Sequence, residues 1–251
     1  MTPLKAARID AARRRRSARR LHRMYERLVH RFGPQQWWPA KTAFEVVVGA
    51  YLTQNTAWKS VERSIANLEA RGLLTIGGLR AIPEAELREL IRPSGFMVRK
   101  AAALKAFVAF LDLHYQGSME PLREQALRSS AAVRARLLTL PGVGPETADA
   151  ILLYALDVPA MVVDEYLRRI ALRHGLAAQG AKYEQIQALA EEAFSHERSR
   201  ETSAQLTRHY NEFHALIVQI GKLHCGRVAC CEGCPLQPDL QHRGLTALRI
   251  K

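Results

Sequence analysis

The stretch LPGVGPETAD, residues 140–149, lies between two segments of helical periodicity, 131–139 and 145–156. Gly142 and Gly144 permit a tight turn with exposed backbone. Pro145 suits the first position of the following helix, and Glu146 falls in its first turn, where an acid is favoured. Such a turn leaves free N–H groups at a helix N-terminus, a geometry that suits a phosphate oxygen. Residues 140–149 therefore predict two helices joined by a loop that holds a backbone phosphate without reading bases. A glycine-rich turn also serves simply as punctuation, so its neighbours decide the weight it carries.

Working outward, the chain reads as helical almost throughout. Apolar residues recur at helical spacing over Ala43–Leu52 and Lys59–Leu68. Residues 83–91 (PEAELRELI) begin with proline and acids, as helix N-termini do. Residues 98–114, 163–174, 182–195 and 202–222 repeat the amphipathic pattern. The β-branched runs are short, VVV at 46–48 and MVV at 161–163, and no alternating pattern is long enough for a sheet. The connections are brief and marked by glycine or proline, Gly77-Gly78 and Pro93-Ser94-Gly95 among them. An all-α architecture follows.

The composition narrows the partner. Of 251 residues, 48% are hydrophobic, enough for a sizeable core. No apolar stretch reaches the length of a membrane span, and the first 30 residues carry charge where a secretory signal would need an apolar run, which argues against export. Lys plus Arg total 37 against 24 acids, a net charge of +13, which favours a polyanion: nucleic acid first, an anionic membrane surface second. Residues 1–31 hold 11 Lys/Arg and two acids, Asp10 and Glu26, so most of the excess sits in one basic arm, partly flexible or helical. Such an arm can release counterions from a phosphate backbone. It also has the Arg-rich, acid-poor look of a transit peptide, or of a solvated tail.

All four cysteines, Cys225, Cys230, Cys231 and Cys234, lie within ten residues. Scattered disulfides are thereby excluded, and a reducing compartment is implied. A cluster with a Cys-x-x-Cys step reads as a [4Fe–4S] site or, second, a zinc site. Eighteen residues after Glu146 comes Asp164, in MVVDEYLRRI, where an acid at a helix start could simply be an N-cap.

Taken in order, LPGVG (140–144), TADAILLYAL (147–156), VVDEYLRRI (162–170) and the cysteine cluster resemble the helix–hairpin–helix DNA glycosylases of the endonuclease III superfamily. FEVVVGAYLTQNTAWKSV (44–61) and SGFMVRKAAALKAF (94–107) fit the same family. The resemblance covers residues 35–236 and implies two helical lobes with damaged duplex DNA in the cleft between them. One lobe would be a six-helix barrel over 43–157, with the hairpin at 134–153. The other would comprise 17–42 and 158–251 with the iron–sulfur loop at 225–234. A monomer, cytoplasmic and associated with prokaryotic-type DNA, is the expectation.

By the same resemblance Asp164 matches the catalytic aspartate. Breaking an N-glycosidic bond builds positive charge on the sugar, which a carboxylate stabilises while orienting water. Gln54 matches a residue that enters the gap left by a flipped base. Leu140, Gly142, Val143, Gly144 and Thr147 form the phosphate-holding hairpin, and Lys222 and Arg227 would face DNA beside the cysteine loop. Glu146 stands where bifunctional members carry a lysine. A glutamate forms no imine, and no lysine occurs between Lys105 and Lys182, so hydrolysis by water without strand cleavage is expected.

WWPAKTAFEV (37–46) with LTQNTAW (52–58) looks most like the branch that removes alkylated purines, 3-methyladenine in particular. Trp37, Trp38, Pro39 and Trp58 would then line the base pocket, since a cationic purine is attracted to an aromatic face. Two alternatives stay open: excision of oxidised or deaminated pyrimidines, and a non-catalytic protein that binds DNA damage. The cysteine spacing departs from the family pattern. Cys225 to Cys231 is one residue short, and the last ligand position falls on Leu240, leaving Cys230 or His242 as the fourth ligand.

Overall fold

A computed structural model of the chain describes residues 3–35 and 40–241, with side chains from 11 to 35 and from 40 to 240. Trp37, Trp38, Pro39 and His242 lie outside the described residues. Among the described residues there is no strand, in agreement with the all-α expectation. No described helix is long and apolar enough to cross a membrane. The chain divides into two compact units, Trp38–Ala160 and a second made of Met1–Trp37 with Met161–Lys251.

In the Trp38–Ala160 unit, helix α2 (Ala43–Thr53) starts on Thr42, whose side chain accepts a hydrogen bond from Glu45 N. Residues Val46–Leu52 are all buried, which explains why α2 is apolar on every side. It packs on α3 (Trp58–Ala70) and on α6 (Met97–Tyr115), which contributes Leu104, Phe107 and Leu111 to the core. Between them lie α4 (Ile76–Ala81), α5 (Glu84–Leu90) and a 3₁₀ turn, Arg92–Ser94. Gly77-Gly78, expected as a connection, is instead inside α4: Thr75 caps it by accepting from Gly78 N. Gly78 is needed there because a Cβ would sit 2.7 Å from Leu73 Cα. After α7 (Met119–Arg128) and α8 (Ser130–Leu137), α9 (Pro145–Ala150) continues into a buried π-helical turn, Ile151–Ala155, packed on α2.

In the second unit, the basic arm is mostly one helix, α1 (Pro3–Phe32). Its apolar face, Leu21, Met24, Tyr25 and Leu28, is buried against α11 (Tyr183–Ala193) and α13 (Ser203–Leu223). Tyr25, Phe194 and Phe213 form an aromatic cluster there, with centroids 5.1 to 5.9 Å apart. The arm beyond Arg16 is therefore part of a core. Arg20 fastens it further, donating to both oxygens of Asp239 and to His174 O. Helix α10 (Glu165–Arg173) packs on α13 at Gly221, where a Cβ would lie 2.3 Å from the Tyr166 ring. Short helices α12 (Ser195–Arg200) and α14 (Gln237–Gln241) complete the unit.

Candidate functional site

The hairpin forms as the glycines and proline predict. Leu140 N donates to Leu137 O and Val143 N to Leu140 O, turning the chain between α8 and α9. Gly142 adopts φ +75°, a conformation that disfavours any side chain. Gly144 is the extended N-cap of α9 and supplies no capping side chain, so it adds no competing acceptor to the helix start. Gly142, Gly144 and Glu146 are exposed and Leu140 is half-buried. Val143 and Thr147, expected at a DNA interface, have buried side chains, so what this turn can offer a phosphate there is backbone. The hairpin is locked from inside. Arg134 Nε and Nη2 donate to the two oxygens of buried Asp149, at 2.6 and 2.9 Å.

Gln54 is tied to that hairpin. Its Nε2 donates to Gly142 O at 2.7 Å and to Thr147 Oγ1 at 3.0 Å, so α2 hands this side chain directly to the turn. Beside it opens a pocket of about 270 Å³ lined by Tyr51, Gln54, Asn55, Phe96, Arg99 and Lys100, among others. Trp58, half-buried at the start of α3, is not among its lining residues. Phe96 is 59% exposed with φ +46°, an apolar ring held out from the surface and able to enter a base stack. Lys100 is its buried counterpart. Its Nζ donates to Leu52 O, Thr56 Oγ1 and Ser94 O, all within 2.9 Å, and burial lowers its pKa to about 8. Neither residue carries a motif. A lysine in the apolar run of α6 and a phenylalanine after Gly95 were the available signals.

In the second unit, Asp164 is the N-cap of α10, its Oδ1 accepting from Leu167 N at 2.7 Å. It is buried, and burial pushes its pKa up to about 6 against the opposing backbone hydrogen bonds from Leu167 and Tyr166. His214, from α13, places Nε2 3.8 Å from Asp164 Oδ2. Burial depresses the His214 pKa to about 3, so the imidazole faces the carboxylate as a neutral dipole and not as an ion-pair partner. A lone histidine on an apolar helix face gives no sequence signal for such a place.

The cysteine loop follows α13, with Cys225 buried, Cys231 and Cys234 half-buried and Cys230 exposed. Burial first, then the neighbouring Cys225, raises the pKa of Cys231, and burial raises that of Cys234 to about 11. Lys222 and Arg227 are exposed beside the loop. Among the described residues no three His, Cys, Asp or Glu side chains converge on a point that could hold a single metal ion. The loop does rest on a buried cation from the end of α10. Arg173 donates from Nη2 to Gly226 O and Arg227 O, while its Nε and Nη1 are buried with no hydrogen-bond partner. Two unmet donors on a buried guanidinium that acts on Cys231 fit an anionic group held by these thiols.

Residues 48–196 match the profile of the HhH-GPD superfamily base excision DNA repair protein. A Methanocaldococcus jannaschii protein whose name proposes it as a DNA repair glycosylase is 42% identical over 86% of this chain and 94% of its own length. The structure is similar to that of an H. pylori 3-methyladenine DNA glycosylase bound to 1,N6-ethenoadenine, with a TM-score of 0.69. That match has 30% identity and covers 82% of this chain and 97% of that one. A trapped endonuclease III–DNA covalent intermediate also shares the fold, with a TM-score of 0.69 at 21% identity over 87% of this chain and 93% of that one.

Proposed function

Because this chain belongs to the HhH-GPD superfamily and is a base-excision DNA glycosylase of that kind, we propose that it hydrolyses the N-glycosidic bond of an alkylated purine with water as nucleophile and without cleaving the strand. The observation that carries this reading is the burial of the Asp164 carboxylate; separately, the sequence has a glutamate, Glu146, at the hairpin position that would need an amine for imine chemistry.

The chemistry follows from charge. An alkylated purine is cationic, so the C1′–N bond electrons neutralise it as it leaves, and positive charge passes to the sugar. Asp164 is ionised above about pH 6 and stabilises that sugar cation in a site poor in water. It can also receive the proton that water loses when its oxygen bonds to C1′. The neutral His214 dipole leaves this negative charge unquenched. The hairpin backbone would hold a phosphate, while Gln54 and Phe96 would fill the stack once the nucleotide is extruded. Trp37 and Trp38 remain the proposed aromatic wall for a cationic base, with Pro39 beside them in the sequence.

The thiols of Cys225, Cys230, Cys231 and Cys234 would hold a [4Fe–4S] cluster, whose negative charge the buried Arg173 donors would meet. Such a cluster would staple the loop after α13 and serve no redox step. Iron analysis with a visible spectrum tests this. Stoichiometric zinc without visible absorption would overturn it.

The function is tested by incubating the protein with duplexes bearing 3-methyladenine, oxidised pyrimidines or deaminated pyrimidines. Release of the free alkylated base with no borohydride-trapped adduct is expected. Excision confined to pyrimidines, or a trapped adduct, would overturn the substrate or the hydrolytic assignment respectively.

A further inference from the structure

Several surface arginines outside α1 are neutralised locally, whereas Arg63, Arg99, Arg200, Arg208 and Arg227 are scattered singly without an ion pair among the described residues. Arg71 reaches Glu86, Arg80 reaches Asp112, Arg92 reaches Glu89 and Arg168 reaches Glu165. Helix α1 is different. Arg20 is committed to Asp239 on the inner side, and Arg14 lies 3.8 Å from Glu192. Arg16, Arg19, Arg23, Arg27 and Arg31 have no acidic partner among the described residues. Their helical spacing places them on one stripe that flanks the buried Leu21, Met24 and Leu28. The one acid beside them, Glu26, leans toward His22, at 3.7 Å. Arg23, Glu26, Arg27, His30 and Arg31 line one groove with Pro235, which directly follows Cys234, so four basic or imidazole side chains there face a single acid.

A row of unpaired like charges on one helix face is unfavourable to the folded chain by itself. It becomes favourable against a row of opposite charges. The rise from Arg16 to Arg31 is about 22 Å, a length that passes about six phosphates of one DNA strand. A membrane surface fits less well. A helix that lies on lipid inserts an apolar face, and the apolar face of α1 is already buried against α11 and α13.

We propose that the outer arginine stripe of α1, Arg16 to Arg31, is a second nucleic-acid interface that lies along the phosphate backbone away from the lesion, in addition to the hairpin. It sets affinity and its salt dependence and takes no part in base excision. It rests on the glycosylase reading only for the identity of the duplex as a damaged one.

The test uses the full chain and two triple variants, Arg19→Gln/Arg23→Gln/Arg27→Gln and the same positions changed to Lys. Glutamine is a good helix former and these side chains are outside the core, so thermal melting should match the parent. The probe is a labelled duplex carrying an abasic-site analogue, in a short form and in a form lengthened by about one helical turn at each end. For the glutamine variant we expect the slope of log affinity against log salt to fall by about 2.7, or 0.9 per arginine. The loss should be larger on the long duplex. The lysine variant should keep the parent slope, because counterion release needs charge and not a fork of donors. Single-turnover base release at saturating enzyme should be unchanged in both.

An unchanged slope for the glutamine variant overturns the proposal. So does a loss confined to vesicles containing phosphatidylserine, which would assign the stripe to lipid. Slower base release at saturating enzyme would place the stripe in the chemistry and overturn it as well. If the parent releases no base from any lesion while the slope still falls, the glycosylase reading fails and the backbone interface stands.

Discussion

At Asp164 two demands meet on one carboxylate. As N-cap it must accept from Leu167 N, and as the proposed reactive group it must be ionised in a buried place. Its pKa is raised from 3.8 to about 6, so the unfolded chain gives up this proton more readily than the folded one. Above pH 6 the folded protein therefore carries a buried charge worth up to about 3 kcal/mol of instability, and below pH 4 that cost is gone. Asp164→Asn keeps a good cap and removes the charge. The variant should melt higher than the parent at pH 8, and the difference should vanish near pH 4. Excision should be lost with DNA affinity retained, and the parent's rate should rise with pH through about 6. A lower melting point at pH 8 would show that the charge is compensated. Lys100 presents the opposite case, a buried cation with all three donors used. Lys100→Met strands the Leu52 and Ser94 carbonyls and should cost about 3 kcal/mol in chemical denaturation. Asp164 could be read from its motif. His214 and Lys100 could not, because their roles depend on what α2, α10 and the 94–96 loop bring beside them.

Where α10 begins depends on how closely α13 lets it approach. Gly221 is that contact, with the Tyr166 ring occupying the space of a Cβ two residues after Asp164. Gly221→Ala should therefore destabilise by about 1–3 kcal/mol through overpacking and also lower excision, although it touches no candidate reactive group. Thermal melting and single-turnover rates check this, and a variant with unchanged rates would separate helix approach from Asp164 geometry. Gln54→Ala should act differently, freeing Gly142 O and Thr147 Oγ1 and weakening DNA binding more than stability. The periodic helices α6, α10, α11 and α13 were legible because each keeps an apolar face long enough to show its period. Helix α4 was not, since its two glycines speak for a turn and only the close approach to Leu73 makes them helical. The π turn at Ile151–Ala155 was equally invisible, being apolar throughout and set by its packing on α2. Sequence alone placed Val143 and Thr147 in the DNA-binding hairpin without showing that the turn which makes Gly142 and Gly144 available rolls those two side chains inward.

For the whole molecule, the +13 charge is a matter of position more than of sum. Residues 1–31 read as a basic arm, partly flexible or helical, yet Leu21, Met24, Tyr25 and Leu28 are core residues and Arg20 is tied to Asp239. Burying four such side chains contributes about 6–12 kcal/mol, comparable with the entire stability of a domain. Deleting residues 1–31 should thus leave a protein that fails to fold, and loss of DNA binding by it would say nothing about charge. A cut after Arg16 is the informative one. It removes six Lys/Arg and only Asp10 on the acidic side, and every residue from 12 to 16 is exposed. The shortened chain should melt within a few degrees of the parent and still excise base at saturating enzyme. Its affinity should fall at low salt and converge on the parent's at high salt, because the lost contacts are electrostatic. An equal loss at all salt concentrations would mean that the first sixteen residues support the fold of α1 and not its charge.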